Sequence, residues 1–190
     1  PREQMEGIFR EVGELMAKWR QLGVEVDGVW PRSVGEIDQA LDKWLRGEIE
    51  PRMMEWTVWG YHVLTDIYNQ QIVEDPYGII AAWKQRLAVY PPQMKQAILK
   101  KHASSLRYWR ADYHYANKVS RGDFTFLAYL TARLTHDIMQ IVYALNEFYY
   151  PGDGMNLRYA ENFSIKPDNF TSRVTGILYP GGPDVRRQYD

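Results

Sequence analysis

The sequence contains no cysteine, and this absence removes several kinds of site at once. Disulfide bonds, zinc sites built on thiolates, iron–sulfur clusters and a cysteine nucleophile are all excluded. A chain without cysteine also fits a reducing compartment. Because the first residues, Pro1-Arg2-Glu3-Gln4, do not form a secretory signal, the expected location is the cytoplasm.

Long apolar runs and known reactive motifs are missing as well. No run approaches the roughly 20 residues that a membrane-spanning helix needs, so no membrane partner is expected. There is no P-loop, no dinucleotide fingerprint and no G-x-S-x-G elbow. The four histidines are far apart in the sequence and none has a complete ligand set nearby, so no metal site is predicted. We therefore expect no catalytic centre and no cofactor within this chain.

The residues that are present describe a folded protein rich in aromatic side chains. Hydrophobic residues make up 45% and charged residues 25% of the 190 positions, as in a globular domain. The formal net charge of −1 gives no overall attraction to nucleic acid or membrane. With 14 Tyr and 7 Trp, the chain has many rings suited to half-buried positions, interfaces and ligand pockets.

Apolar residues recur at steps of three and four along most of the chain, which is typical of amphipathic helices. The predicted fold is all-α: an antiparallel, up-and-down bundle of about five or six helices with an irregular C-terminal tail. We expect residues 1–50 to form a helical hairpin that packs on the bundle, residues 51–155 to form the core bundle, and residues 156–190 to form an irregular tail with a short helix. The longer predicted helices cover residues 3–22, 33–47, 52–68, 76–90, 92–119 and 123–150.

The predicted helix over residues 92–119 is strongly basic. Between Lys95 and Arg121 there are seven basic residues and one acidic residue, with aromatic residues among them. Because basic groups attract phosphates and aromatic rings stack on bases, this stretch is a candidate for binding a nucleotide or RNA. A solvated basic face over an aromatic core explains the same pattern.

The predicted helix over residues 123–150 carries a second polar group. Arg133 and Asp137 are four residues apart, so they can form an ion pair on one helical face, where it contributes little stability. Since the apolar stripe beside them is broad, the alternative is that Asp137 and Asn146 point into the bundle.

Three segments resemble a known group of proteins. They are Asp75-Pro76-Tyr77-Gly78, Arg121-Gly122-Asp123 and the run ALNEFYYPGD over residues 144–153. Together they look like the C-terminal helical region of nucleotidyltransferase-fold proteins, including the group whose second domain is DUF4037, and more loosely the aminoglycoside nucleotidyltransferases. The resemblance covers about residues 50–155. It implies a helical bundle that follows a catalytic domain, closes over the substrate and positions it.

The catalytic half of such proteins has a Gly-Ser turn and paired aspartates that bind magnesium and the nucleotide phosphates. This sequence has no Gly-Ser dipeptide and no Asp-x-Asp. The resemblance therefore assigns nucleotide and magnesium to a catalytic domain that is absent from this chain. It makes that domain, or a small-molecule acceptor, the expected partner. The chain is then either one domain of a larger enzyme or a stand-alone relative without transfer activity.

The helix faces and the resemblance together suggest a set of substrate contacts. Tyr or Trp side chains would stack on a base or sugar, and Asp137 would anchor a cationic or hydroxylated acceptor. The candidate residues are Arg110, Asp112, His114, Arg121, Asp123, Asp137, Asn146 and Tyr150.

Two other functions fit the same residues. Helical bundles of the HEPN type cleave RNA with an Arg-x4–6-His motif, and six residues separate Arg107 from His114. The other alternative is a non-catalytic interaction bundle, whose aromatic surface contacts a partner protein or a second copy of the chain.

Overall fold

Helices account for most of the computed structural model, which describes residues 2–25, 28, 30–50, 52–54 and 57–178. The all-α fold class is confirmed, and these residues contain nine helices, more than the five or six expected, with one short hairpin. No helix among them is both long and apolar enough to cross a membrane. The elements are α1 (Arg2–Gln21), α2 (Val34–Leu45), β1 (Arg52–Met54), β2 (Thr57–Gly60), α3 (His62–Asn69), α4 (Ile79–Leu87), α5 (Pro92–Ala111), α6 (His114–Arg121), α7 (Phe124–Leu145), α8 (Asn156–Glu161) and α9 (Phe170–Leu178).

The chain divides into two compact units, residues 1–40 and residues 41–190. The first unit contains α1 and the beginning of α2. The second contains the end of α2 and every later element.

Helices α5 and α7 form the centre of the second unit. Three contacts link them in opposite order: Lys95 with Glu147 just beyond the end of α7, His102 with Asp137, and Trp109 with Phe126. Along these three contacts the residue numbers rise on α5 while those of their partners on or just beyond α7 fall. The two helices are therefore antiparallel, as predicted. The core between and around them contains fully buried side chains from both helices, namely Met94, Ile98, Leu127 and Leu130.

The prediction of one helix over residues 52–68 is wrong in its first half. Residues 52–54 and 57–60 form the antiparallel strands β1 and β2, and only the part from His62 is helical. The segment Thr57-Val58-Trp59 is rich in β-branched and aromatic residues, which favour strands. A short apolar run of this kind cannot be assigned to helix or strand from periodicity alone.

The prediction of one helix over residues 92–119 is also corrected. The chain leaves the helical conformation at Asp112, whose backbone is extended, and α6 begins at His114. Asp112 accepts a hydrogen bond from the backbone N–H of His114 through its own side chain. An aspartate that bonds to nearby backbone competes with helical hydrogen bonding and so favours a helix end.

The C-terminal region contains more helix than expected. Two helices, α8 and α9, lie within residues 156–178, where the sequence predicts one. Residues 179–190 of the predicted tail lie outside the described residues.

Polar side chains fix both ends of the connection between α3 and α4. The helix α4 begins at Ile79, after Gly78, and the carboxylate of Asp75 accepts hydrogen bonds from the backbone N–H groups of Ile79 and Ala81 in its first turn, at 2.9 Å each. The Nζ of Lys84 donates to three carbonyl groups at the end of α3 and just beyond it, including that of Tyr68 at 2.6 Å. A cation at the C-terminal end of a helix is favourable, because the last carbonyls lack helical partners.

The Pro-Gly turn after α7 packs directly on the backbone of β2. The backbone N–H of Tyr61 donates to the carbonyl of Tyr150 at 2.7 Å. A Cβ atom placed on Gly60 would lie 2.5 Å from the backbone N of Gly152, well inside van der Waals contact. Only glycine therefore allows β2 and the turn at Pro151 to approach this closely.

We predict that Gly60→Ala lowers the free energy of unfolding by about 2–3 kcal/mol, because backbone atoms of the turn must move to admit the methyl group. The measurement is urea denaturation followed by circular dichroism. The matched control is Gly176→Ala in α9, where an added Cβ meets nothing within 4 Å. The control should be neutral or stabilising by about 0.5–1 kcal/mol. Equal stability of the two variants would contradict this packing.

Candidate functional site

The end of α5 and the start of α6 form an exposed turn that we call the α5–α6 corner, residues 107–114. At its centre, the Oδ1 atom of Asp112 lies 2.6 Å from the ring Nδ1 of His114 and 2.8 Å from its backbone N. The nearby carboxylate also raises the pKa of Tyr108. The backbone N–H and the ring of His114 thus hold the Asp112 carboxylate in place.

The hydrogen bonds lower the pKa of Asp112 below its ordinary value, first through the backbone N–H of His114 and then through its side chain. Because Asp112 holds the Nδ1 side of the ring, the Nε2 atom of His114 is the one left for other partners. The side chain of His114 is 54% exposed. An imidazole oriented by a carboxylate is a common arrangement for proton transfer.

Exposed rings and guanidinium groups surround this pair. Tyr108 is 63% and Tyr113 69% exposed, and the Tyr113 ring stacks on the His114 ring with 4.1 Å between centroids. Arg107 donates to the hydroxyl of Ser104, whereas the exposed Arg110 has no side-chain partner within the part of the chain that the structure describes. Residues 108–113 therefore include an exposed arginine without a side-chain partner among the described residues and two exposed aromatic rings.

The predicted contacts Arg121 and Asp123 lie at the turn between α6 and α7. Asp123 forms an ion pair with Lys118 at 2.7 Å, and this hydrogen bond lowers the pKa of Asp123. The Nε atom of Arg121 donates to the carbonyl of Asn117. Both side chains thus have partners on α6, close to the turn.

A second polar cluster is buried between α5 and α7. Asp137 and His102 are 5% and 4% exposed, and their atoms Oδ1 and Nδ1 are 2.6 Å apart. The ring of His136 meets that of His102 edge to face, 5.8 Å between centroids, and packs on Tyr150. Gln140 is buried beside His136. We call these five residues the buried histidine cluster.

The surface ion pair between Arg133 and Asp137 was the first expectation, and it is wrong; the alternative, that Asp137 points into the bundle, is the one the structure shows. Asp137 bonds to His102, while Arg133 contacts the hydroxyl of Tyr129. Burial acts to raise the pKa of Asp137, but the hydrogen bond with His102, helped by the nearby Ser105 and His136, outweighs it, so the net shift is downward. The carboxylate is therefore ionised and compensated inside the protein.

The last two candidate contacts are Asn146, which is hydrogen-bonded to the backbone, and Tyr150, which is buried. The amide of Asn146 donates to the carbonyls of Val142 and Ile165, and its oxygen accepts from the backbone N–H of Ile165. It thereby ties a later segment of the chain to the end of α7. Tyr150 is buried, and burial raises its pKa to about 12.

The eight candidate contacts do not form one site. Arg110, Asp112 and His114 lie together at the corner, near Trp109, which contacts Phe126. Asp137 is 11 residues further along α7 than Phe126, or roughly 16 Å at the helical rise. The buried cluster is thus separate from the corner.

Sequence reasoning missed His102 and His136 as members of the buried cluster. His102 is 35 residues from Asp137, so only the packing of α5 on α7 brings them together. The available signal for His102 was its position on the apolar face of its predicted helix, four residues after Ile98 and four before Leu106, whereas His136 lies opposite the predicted apolar stripe of its helix and gave no such signal. Among the described residues, no group of three or more His, Asp or Glu side chains is arranged to hold a metal ion.

Comparison with known proteins gives one match. The sequence model of a family described as "Domain of unknown function (DUF4037)" matches residues 56–154, about half of the chain. No curated protein and no solved structure matches. The matched residues include the α5–α6 corner, the buried histidine cluster and the Pro-Gly turn.

We predict that the free energy of unfolding decreases as the pH is lowered from about 6.5 to about 4, and that His136 is the cause. Burial, followed by the charge of His102, lowers the pKa of His136 to about 4, while the unfolded chain keeps the ordinary 6.5. The unfolded state therefore binds the proton first, and stability is lost as the pH falls through this range, by about 2–3 kcal/mol. The measurement is urea denaturation at several pH values.

The variant His136→Phe keeps the ring but cannot bind a proton, so its stability should vary less with pH over the same range. His114→Phe, which changes an exposed histidine, is the matched control and should keep the wild-type pH dependence. The prediction fails if the wild type and His136→Phe lose stability in parallel between pH 6.5 and pH 4.

Proposed function

The chain belongs to the DUF4037 family, and from that premise we propose that its helical unit binds and positions a substrate for a nucleotidyltransferase-like catalytic domain. The ligand we assign to the α5–α6 corner carries a phosphate and a ring, as a nucleotide does. The observation that carries the proposal is that Arg110, Tyr113 and His114 are all exposed at the corner, with the His114 ring held by the carboxylate of Asp112 and stacked on the Tyr113 ring.

Each group of the corner has a chemical role in this proposal. The guanidinium of Arg110 forms charge-assisted hydrogen bonds with phosphate oxygens. The rings of Tyr108 and Tyr113 provide flat faces on which a base stacks. His114 contributes its Nε2 atom as a hydrogen-bond partner for a sugar or acceptor hydroxyl. None of these groups breaks a bond; together they hold the substrate in an orientation that favours reaction.

The sequence around the corner supports a phosphate-bearing ligand. The stretch from Lys95 to Arg121 carries six more basic than acidic residues, seven against one, although the whole chain is almost neutral. Two of these cations, Lys95 and Lys118, already pair with carboxylates. The positive charge that remains is therefore concentrated on the part of α5 that leads to the corner.

We predict that the chain binds adenosine triphosphate, and that Arg110→Gln and Tyr113→Ala each weaken this binding about five- to tenfold. The first variant removes the phosphate-binding charge, and the second removes a stacking face. Isothermal titration calorimetry measures both effects. Arg158→Gln, which removes an exposed arginine of α8, is the charge-matched control and should bind as the wild type does. A wild type that does not bind, or binding unaffected by all three changes, would refute the role of the corner.

The catalytic half of the proposal has its own test. The natural polypeptide should contain, or associate with, a domain that has a Gly-Ser turn and paired aspartates, and should transfer a nucleotidyl group only when magnesium is present. The size and sequence of the polypeptide in its source cells, determined by mass spectrometry, give the first answer. The absence of such a domain from both the polypeptide and its complexes would remove this half of the proposal while leaving ligand binding at the corner intact.

One observation favours RNA cleavage as a second candidate function. His114 is oriented by Asp112 and leaves its Nε2 atom accessible, while Arg107 is exposed one helical turn before the end of α5. An RNase would use the histidine for proton transfer and the arginine to bind the scissile phosphate. This assignment requires both side chains to act on one phosphate group.

The two functions differ in their response to His114→Ala. An RNase would cleave a single-stranded RNA, and would lose at least about a hundredfold in rate with His114→Ala. We expect that the wild type leaves the RNA intact, as a positioning domain would. Gel analysis of a labelled RNA distinguishes these outcomes, and cleavage abolished by both His114→Ala and Arg107→Ala would establish the RNase instead.

A further inference from the structure

Helix α1 has an apolar stripe that the structure leaves accessible. Of its side chains described from Glu6 on, none is buried, and Ile8, Leu15 and the adjoining Leu22 are 37%, 43% and 78% exposed. A helix of this length gains most of its stability by burying such a stripe against another element. An accessible apolar stripe that runs from Ile8 to Leu22 therefore indicates an interaction surface.

The spacing of the stripe is that of a coiled coil. Its central residues are Ile8, Val12, Leu15, Trp19 and Leu22, at steps of 4, 3, 4 and 3. In heptad notation they occupy alternating d and a positions, which pack against a second helix of the same kind. Phe9 and Met16 occupy the two e positions and widen the stripe on one side only.

Charged residues border the other side of the stripe. Glu11 and Lys18 occupy successive g positions, and both are exposed. Neither side chain has an ion-pair partner within the described residues. Two opposite charges seven residues apart are thus placed to meet complementary charges on another helix.

We propose that α1 pairs with α1 of a second copy of this chain in antiparallel orientation. In that arrangement each a residue faces a d residue, so Val12 meets Leu15 of the second copy, and g positions face g positions. Glu11 of each copy then meets Lys18 of the other, which gives two ion pairs related by a twofold axis. The Phe9 and Met16 side chains meet each other across the opposite edge.

The charges also select against other arrangements. In a parallel pair, a g residue faces the e residue five positions further along, so Glu11 would face Met16 and no ion pair would form. Binding to a membrane surface is disfavoured, because α1 carries four acidic and four basic residues and so has no net attraction to anionic lipids. A second copy of the chain both buries the apolar stripe of α1 and pairs the charges that border it.

The test is the mass of the chain in solution, measured by sedimentation equilibrium over a range of concentrations. We expect a dimer whose dissociation constant rises about tenfold or more in Glu11→Lys and in Lys18→Glu, since each change replaces two attractive pairs with two repulsive ones. The double variant Glu11→Lys/Lys18→Glu restores complementary pairs and should dimerise as the wild type does.

Glu14→Lys is the matched control, because Glu14 occupies a c position away from the stripe, and it should leave dimerisation unchanged. Three results would overturn the proposal. They are a wild type that stays monomeric at the highest concentration, charge variants that all dimerise equally, and a monomer that binds vesicles of mixed neutral and anionic lipid through α1.

Discussion

The buried pair of His102 and Asp137 is the interaction on which the second compact unit depends. A carboxylate removed from water must be compensated, and here the compensation comes from a single residue on the facing helix. The pair is possible only in one alignment of α5 against α7, because a shift by one residue rotates either side chain away. The same alignment brings Trp109 to Phe126 at the far end and so determines where α5 ends against α7. The α5–α6 corner takes its position from the buried pair.

The helices could be predicted where their apolar periodicity is uninterrupted, and the errors occur where a local polar contact decides the outcome. The periodic apolar residues of α7 were sufficient to predict a long helix. In α5 the same periodicity continues past residue 111, but the side chain of Asp112 bonds to the backbone of His114 and ends the helix. The strands at residues 52–54 and 57–60 were missed for a different reason. The turn at Pro151 packs on Gly60 from about 90 residues later in the sequence, a contact that no local pattern contains.

The candidate sites show the same division between local and distant contacts. Asp112 and His114 were predicted together because only one residue separates them in sequence, and a short turn suffices to bring them into contact. His102 was not predicted as a partner of Asp137, because their contact requires the complete packing of two long helices. Histidines on an apolar helical face are usually satisfied by such packing, so their presence alone does not indicate a ligand site.

The run over residues 144–153, one of the three segments that carry the family resemblance, has mainly structural contacts. Asn146 binds the backbone of Ile165, Tyr150 is buried against His136, and Pro151-Gly152 packs on Gly60. A segment with these contacts preserves the fold, and its presence in a sequence is therefore informative about architecture. It says less about the ligand, since function depends on residues whose polar groups remain available. In this chain those groups are found at the α5–α6 corner and along α1, which is why both proposals are built on residues outside that segment.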